Sequence, residues 1–284
     1  MNCTGSTSLA ALLAAARPLG VDRLDAQLLA AHVLGRSRAW VVAHGDALVD
    51  AAALQALQSL LQRRAAGEPL AHLTGEREFY GLALTVTPDV LVPRPDTETL
   101  VDWALELLRG PLSPVAAPRV VDLGTGSGAI ALAVKHGCPR AEVHGIDISA
   151  AALDVARRNG ERLGLAVHWH QGAWWSPVAP LQFDLALANP PYVAPGDPHL
   201  WSLRHEPALA LTPRDDAGDG LADIERIVSG APRHLPRGAW LLLEHGVAQA
   251  QAVREGLQRN GFPVPGTRTD LAGRERVTGA AYLP

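Results

Sequence analysis

The sequence predicts an α/β fold: a mostly parallel sheet with helices on both faces, preceded by a small N-terminal helical bundle and a β-hairpin linker. Three observations carry this. Short strand-like runs alternate with helical segments at 120–122, 143–146, 167–170, 185–188 and 240–244. The first run leads into Gly124-Thr125-Gly126-Ser127-Gly128 and then a helical stretch, the layout of a nucleotide-binding βα turn. The residues before 67 carry their leucines at helical spacing instead.

The N-terminal elements follow from caps and stops. Leu9, Leu12, Leu13 and Ala16 repeat at helical spacing, and Pro18-Leu19-Gly20 ends that helix. Asp22 reads as the next N-cap, with Leu24, Leu28 and Leu29 on the face behind it and Gly35 as the stop. Ser37 caps a short helix through Trp40 and Val41. Asp50 caps a longer one, with Leu54, Leu57 and Leu61 inward. Arg63 and Arg64 fall in its last turn, where cations suit the helix dipole, and Gly67 and Pro69 close it. Residues 8–66 are therefore expected to be all-helical. Such a bundle serves recognition or stabilisation, and its residues leave that choice open.

Residues 79–91 alternate weakly, with Gly81 in the middle, and read as a β-hairpin. Asp96 or Thr97 begins a helix through Val101, Leu105 and Leu108. The segment 193–220 is long for a connection and rich in Pro, Asp and Gly, so it reads as a lid. There are no internal repeats.

Chemistry concentrates at two turns. Asn189-Pro190-Pro191-Tyr192 follows the apolar run 183–188, where two prolines forbid further ladder pairing. The turn offers stiff acceptors, the Asn189 side-chain oxygen and nearby carbonyls, with a flat ring beside them. That suits a planar –NH2 group whose hydrogens must be held while its lone pair attacks. In the glycine loop the spacing G-x-G-x-G, with Ala129 next, argues against a dinucleotide pyrophosphate. A second strand ends at Asp147, 19 residues past Gly128, where an acid can take both ribose hydroxyls. His168 and His170 share one strand face; two histidines hold a metal poorly and no third ligand is indicated, so a polar face is the better reading. Glu244-His245 reads equally as acid–base chemistry or as structure.

Asp122-Leu123-Gly124-Thr125-Gly126-Ser127-Gly128 resembles motif I of class I S-adenosylmethionine-dependent methyltransferases, and Asn189-Pro190-Pro191-Tyr192 resembles their amino-group-methylating motif. Glu68-Pro69-Leu70-Ala71-His72-Leu73-Thr74-Gly75, Phe79-Tyr80-Gly81, Leu91-Val92-Pro93-Arg94-Pro95-Asp96-Thr97-Glu98, Glu206-Pro207 and Leu241-Leu242-Leu243-Glu244-His245-Gly246 narrow this. They resemble the release factor glutamine methyltransferases (PrmC/HemK family) from about Glu68 to the C-terminus. The resemblance implies a Rossmann-like class I methyltransferase with a seven-stranded sheet, closed by an antiparallel pair within residues 274–283. It implies residues 1–74 as a helical substrate-docking domain, 75–95 as the hairpin linker and 96–284 as the methyltransferase domain.

The cofactor implied is S-adenosyl-L-methionine, leaving as S-adenosyl-L-homocysteine, with no metal. Gly124, Thr125, Gly126, Ser127 and Gly128 would pass along it, Asp147 hold the ribose, Trp174 cover the adenine, and Asn189 stand at its reactive end. Asn189, Pro190, Pro191 and Tyr192 would be the catalytic turn, and Arg94, Asp96 and Glu98 would line the substrate pocket. The family has an acid just before that tryptophan; here Ala173 stands there, which removes an acceptor for the adenine amino group. The implied partner is a class I peptide chain release factor, methylated on a glutamine amide nitrogen. Rivals are a ribosomal-protein glutamine methyltransferase, a DNA adenine amino methyltransferase, an NAD-dependent oxidoreductase and a non-catalytic binder.

Composition argues against the DNA adenine rival. Across 284 residues, 48% hydrophobic content is ample for a core, and net charge −4 with pI near 6.2 gives no basic field for nucleic acid. Cys3 and Cys138 are the only cysteines, too few for a disulfide framework or zinc spacing, which fits a reducing cytoplasm. The apolar run 9–16 is too short to span a membrane and lacks a preceding basic residue, so neither signal peptide nor anchor is expected.

Overall fold

A computed structural model describes residues 7–214 and 218–284; Cys3 and positions 215–217 of the expected lid lie outside the described residues. The chain divides into two compact units, Met1–Glu76 and Arg77–Pro284.

The first unit is built on its caps. Strand β1 (Thr7–Ser8) leads into α1 (Leu9–Ala16), followed by α2 (Arg23–Leu34), α3 (Arg38–Ala43), β2 (Leu48–Val49), α4 (Ala51–Ala65) and α5 (Leu70–Thr74). Asp22, Ser37 and Asp50 each accept from the backbone N–H three residues on, at 2.9, 3.2 and 2.8 Å, so each supplies a partner to an otherwise orphaned donor. Gly20 and Gly35 stop their helices in the left-handed conformation. Two expectations need correction. The unit is not all-helical, because β1 and β2 pair antiparallel. Leu24 is 48% exposed; the buried face of α2 runs through Ala26, Leu29 and Ala30, one step round the helix from the expected stripe. Leu29 joins Leu9, Leu57 and Leu61 in this unit's own core.

A hairpin follows, β3 (Glu76–Phe79) and β4 (Leu82–Thr85). It lies within the expected 75–95 linker, starts ahead of the 79–91 run, and has Gly81 in its turn. Tyr80 and Gly81 have φ of 51° and 78°, the paired positive angles of a tight two-residue hairpin loop. Then follow α6 (Glu98–Arg109), β5 (Arg119–Leu123), α7 (Ala129–Gly137), β6 (Glu142–Asp147), α8 (Ala150–Leu163) and β7 (His168–Gln171). After these come β8 (Leu185–Ala188), α9 (Ala222–Gly230), β9 (Trp240–Glu244), α10 (Ala250–Arg259), β10 (Gly266–Thr269) and β11 (Glu275–Ala281). Helix α6 opens after a 3-10 turn, Pro95–Thr97, and no side chain caps it.

The seven-stranded sheet runs β10-β11-β9-β8-β5-β6-β7. Strands β5 to β9 are mutually parallel, and β11 pairs antiparallel with both β9 and β10. The closing antiparallel pair therefore exists, but residues 274–283 supply only one strand of it. Leu185 and Leu187 face one core with α6 and α7; Ala186 and Ala188 face the other with α9 and α10. This alternation is what a two-sided buried strand requires. Among the described residues no helix is long and apolar enough to cross a membrane.

One side chain sets the spacing around the first βα unit. The Trp169 indole lies where Cβ atoms on Gly145, Gly128 and Gly160 would come within 2.4, 3.0 and 3.5 Å of it. Gly145→Ala should therefore cost about 1–3 kcal/mol, the usual penalty for overpacking a filled core. Urea midpoints of wild type and variant measure it; equal midpoints would show that the indole shifts without cost.

Candidate active site

The strand order reverses between β5 and β8: β6 and β7 lie to one side, β9 and the closing pair to the other. Ligands of such sheets bind beyond the carboxyl ends of the strands at that point. A cavity of about 390 Å³ lies there, within the usual range for small-molecule sites. The glycine loop after β5, Asp147 at the end of β6 and Asn189 after β8 all line it.

The loop is shaped from beneath. Gly124 and Gly126 have φ of 78° and 55°, conformations that a side chain makes costly. Gly124 N–H and Thr125 N–H both donate to the Ile146 carbonyl, at 2.9 and 2.8 Å. Asp122 is fully buried, and its Oδ2 accepts from Thr125 Oγ1 at 2.6 Å and Ala131 N–H at 3.2 Å. Burial pushes its pKa up to about 7 against those two bonds, and its Oδ1 has no partner. A Cβ on Gly126 would meet nothing within 4 Å, so that backbone faces open space. Gly128 is different: Trp169, Leu132 and Ala156 crowd it, and it starts α7 rather than lining the cavity.

Asp147 accepts from Gly126 N–H and Ser149 N–H, each at 2.9 Å. Burial raises its pKa, and those N–H bonds oppose the shift. Trp174 lines the cavity beside Ala173, its ring 3.3 Å from the Cβ position of Gly124. Its φ of 47° is an outlier for a bulky residue.

The proline turn splits its members. Asn189 and Pro191 line the cavity; Pro190 is buried, and neither it nor Tyr192 is on the wall. Asn189 Nδ2 donates to Thr97 Oγ1 at 3.2 Å, and the Tyr192 hydroxyl donates to Glu244 Oε1 at 3.2 Å. Burial raises the Tyr192 pKa first of all, and lifts that of Glu244 to about 7. Of the segment expected to line the pocket, Arg94 does so. Asp96 instead pairs with Arg276 at 3.3 Å, and Glu98 Oε1 accepts from Tyr80 N–H at 3.0 Å. Neither acid caps α6 with its side chain. Thr97, between them, is the cavity residue.

The expected lid is anchored. Glu206 is buried, its Oε2 accepts from Val92 N–H at 2.9 Å, and its Oε1 takes the Arg94 guanidinium. Pro207, Leu209 and Arg214 of the same loop lie on the cavity wall. Thr97 and Glu206 were not marked as site residues by sequence reasoning. Their signal was present in the Arg94–Glu98 and Glu206-Pro207 matches.

His168 and His170 do gain neighbours, contrary to expectation: Glu142 and His144 on the adjacent strand. His144 bonds His170 at 3.0 Å and Glu142 at 3.2 Å, and Arg119 takes the other Glu142 oxygen at 3.1 Å. Donor atoms of Glu142, His144 and His168 spread up to 4.8 Å apart. Tetrahedral zinc with bonds near 2.0–2.1 Å needs roughly 3.3 Å. As built, this is a hydrogen-bonded sheet edge. His245 is likewise structural: its ring bonds the Gly246 carbonyl at 2.9 Å and Thr278 Oγ1 at 2.7 Å.

The family model for the PrmC N-terminal domain matches residues 7–75, and the Methyltransferase small domain matches 97–204. The first match extends the likeness to residues that resembled the family only in character. A release factor glutamine methyltransferase of Bordetella pertussis is 51% identical over 267 residues, covering 93% of this chain and 96% of that protein. One of Burkholderia pseudomallei is 47% identical, covering 98% of each chain. The Escherichia coli relative of the same name is 42% identical, covering 92% of each. Among solved structures, the human METTL16 catalytic domain aligns at TM-score 0.57 with 17% identity, covering 79% of this chain and 82% of that one. The Thermus thermophilus 16S rRNA N2 G1207 methyltransferase aligns at TM-score 0.53 with 19% identity, covering 72% and 49%. These two establish likeness of fold.

The raised pKa of Asp122 has a stability consequence. Its folded-state value of about 7 lies above the ordinary 3.8. Its contribution to stability is therefore full below the lower value and is lost as pH rises through the higher one. Wild type should lose stability relative to Asp122→Asn between those limits and level off above them. Urea midpoints of both proteins across that window measure this; parallel profiles would mean that Asp122 ionises as readily folded as unfolded.

Proposed function

This chain belongs to the release factor glutamine methyltransferase family, and we propose that the cavity at the switch point of its sheet holds S-adenosyl-L-methionine beside the substrate glutamine. Its activity is the methylation of a release factor glutamine. The acceptor we assign is the amide nitrogen N5 of the glutamine in the Gly-Gly-Gln loop of class I peptide chain release factors. One observation carries the reading: the glycine loop, Asp147 and Asn189 line a single cavity.

The residues fit the cofactor. Gly126 offers open main chain toward the cavity, and Asp147 stands at the tip of the second strand. In this reading Gly124, Thr125, Gly126 and Ser127 pass along the cofactor and Gly128 sets the helix behind it. Asp147 holds the ribose and Trp174 covers the adenine. When bound, S-adenosyl-L-methionine supplies an electrophilic methyl group on a sulfonium. Ala173 on the wall offers no side-chain acceptor to the adenine edge.

An amide nitrogen is a weak nucleophile because its lone pair is shared with the carbonyl. Asn189 Oδ1, on the cavity wall, accepts one N–H bond of the substrate amide; the Pro190 carbonyl, expected to take the second, belongs to a buried residue off that wall. This aims the lone pair and favours loss of planarity as the new bond forms. Pro191 stiffens the turn, and Tyr192 supports it from the buried side, bonded to Glu244. Positioning carries much of the rate.

Asn189→Ala should lower single-turnover methyl transfer by about a hundredfold, by analogy with loss of a positioned transition-state partner. A wild-type rate would leave Asn189 only a turn residue. The N-terminal unit is the natural second contact for a short substrate loop, as a docking domain. Full-length release factor should thus be methylated efficiently and a short Gly-Gly-Gln peptide poorly, as read by mass spectrometry. Label on a ribosomal protein or DNA adenine, with none on a release factor, would overturn the substrate.

A further inference from the structure

An asparagine side chain has two opposite ends of nearly equal shape. The reaction proposed above uses only the oxygen end of Asn189. Turned over, the same side chain presents N–H groups to a substrate amide whose own N–H groups need acceptors. Something must therefore choose between the two orientations.

Asn189 Nδ2 donates to Thr97 Oγ1 at 3.2 Å, and Thr97 is 3% exposed. A hydroxyl has one proton. If that proton is given elsewhere, Oγ1 can only accept, and it selects the nitrogen end of Asn189. Elsewhere is Glu244, at the end of β9, beside the end of β8: Ala188 pairs with Leu243 in register, and Asn189 and Glu244 follow them. The Thr97 hydroxyl favours the charged form of Glu244 by hydrogen bonding. Glu244 is 1% exposed, and its Oε2 has no partner of full hydrogen-bond geometry. The buried acceptor therefore draws the Thr97 proton. The other oxygen, Oε1, accepts from Tyr192. Arg276 adds a favourable charge to Glu244 and is held by Asp270 at 3.1 Å and Asp96 at 3.3 Å.

We propose that Thr97 and Glu244 are positioning residues that fix the direction of the Asn189 amide, so that Oδ1 rather than Nδ2 faces the substrate. In this arrangement Asn189 donates to Thr97, the Thr97 hydroxyl is left to turn toward the unpartnered Oε2 of Glu244, and Tyr192 donates to the other oxygen of that carboxyl. One acid thereby orders both ends of the proline turn. The proposal rests on the role assigned to Asn189 above.

Three variants test it, by single-turnover transfer to full-length release factor and by calorimetric S-adenosyl-L-methionine affinity. Thr97→Val keeps the shape and removes the hydroxyl; it should slow transfer about tenfold, roughly the worth of one lost hydrogen bond, with cofactor Kd within about twofold. Thr97→Ser keeps the hydroxyl and should restore most of the rate. Glu244→Gln places a donor in the acceptor's position and should also slow transfer at unchanged Kd. A valine variant at wild-type rate, or a serine variant as slow as valine, overturns the proposal. If the valine variant does not fold, a slow serine variant or a Glu244→Gln variant at wild-type rate does so. Asn189→Ala in the same assay separates the two ideas. If it is fast, the role of Asn189 fails; if it is slow while Thr97→Val is fast, only the relay fails.

Discussion

The architecture of the site depends on one buried carboxyl. Asp122 sits beneath the glycine loop with no solvent contact, tied to the Thr125 hydroxyl and the Ala131 amide. Those bonds bring the end of β5, the loop and the first turn of α7 into one rigid corner. Burial of a carboxyl is costly, which is why its proton is held so much more tightly than usual. The loop in turn places Gly126 N–H against Asp147, so the ends of two strands are adjusted together. A chain without that anchor would have glycines at the same positions and no defined path between them.

A second layer of constraint surrounds the corner. Asn159, fully buried on α8, accepts from Thr85 N–H and donates to the Thr85 and Ser127 carbonyls at 2.8, 2.9 and 3.0 Å. It therefore joins the hairpin strand β4 to the loop. Glu206 does the same on the other side, joining the long segment after the proline turn to Val92 and Arg94. Polar groups this buried stabilise only when satisfied, and these two reach across from one element to another. The cavity wall is thus made of connections that are short in space and long in sequence.

That division explains what was readable beforehand. The glycine loop, Asp147 and the Asn189 turn are each marked within a few residues, so residue order alone placed them at the ends of their strands, where they line one cavity. The caps at Asp22, Ser37 and Asp50 were legible for the same reason. The hairpin register was not, because its turn places Tyr80 where glycine, asparagine or aspartate is the usual choice. Strand β10 is Gly266-Thr267-Arg268-Thr269, with no apolar alternation to mark it, so the closing pair was sought too late in the chain. Asp96 and Glu98 sat in the most distinctive motif, yet their partners, Arg276 and Tyr80, are distant in sequence. Thr97 needed Glu244 and Asn189 beside it before its hydroxyl had a direction. Local chemistry was visible; the partners of long-range polar side chains were not.

The indole of Trp169 has a bearing on descent. Its ring occupies the volume that side chains on Gly145, Gly128 and Gly160 would fill, and those glycines belong to a strand, the loop and a helix. The four positions therefore form one heritable block. A smaller residue at 169 would leave a void that larger residues at the glycines could fill, but neither change is tolerated first without loss. Lineages that exchange the tryptophan should exchange the small residues with it. Variation around this glycine loop would then proceed by paired replacements, where an exposed turn would drift one position at a time.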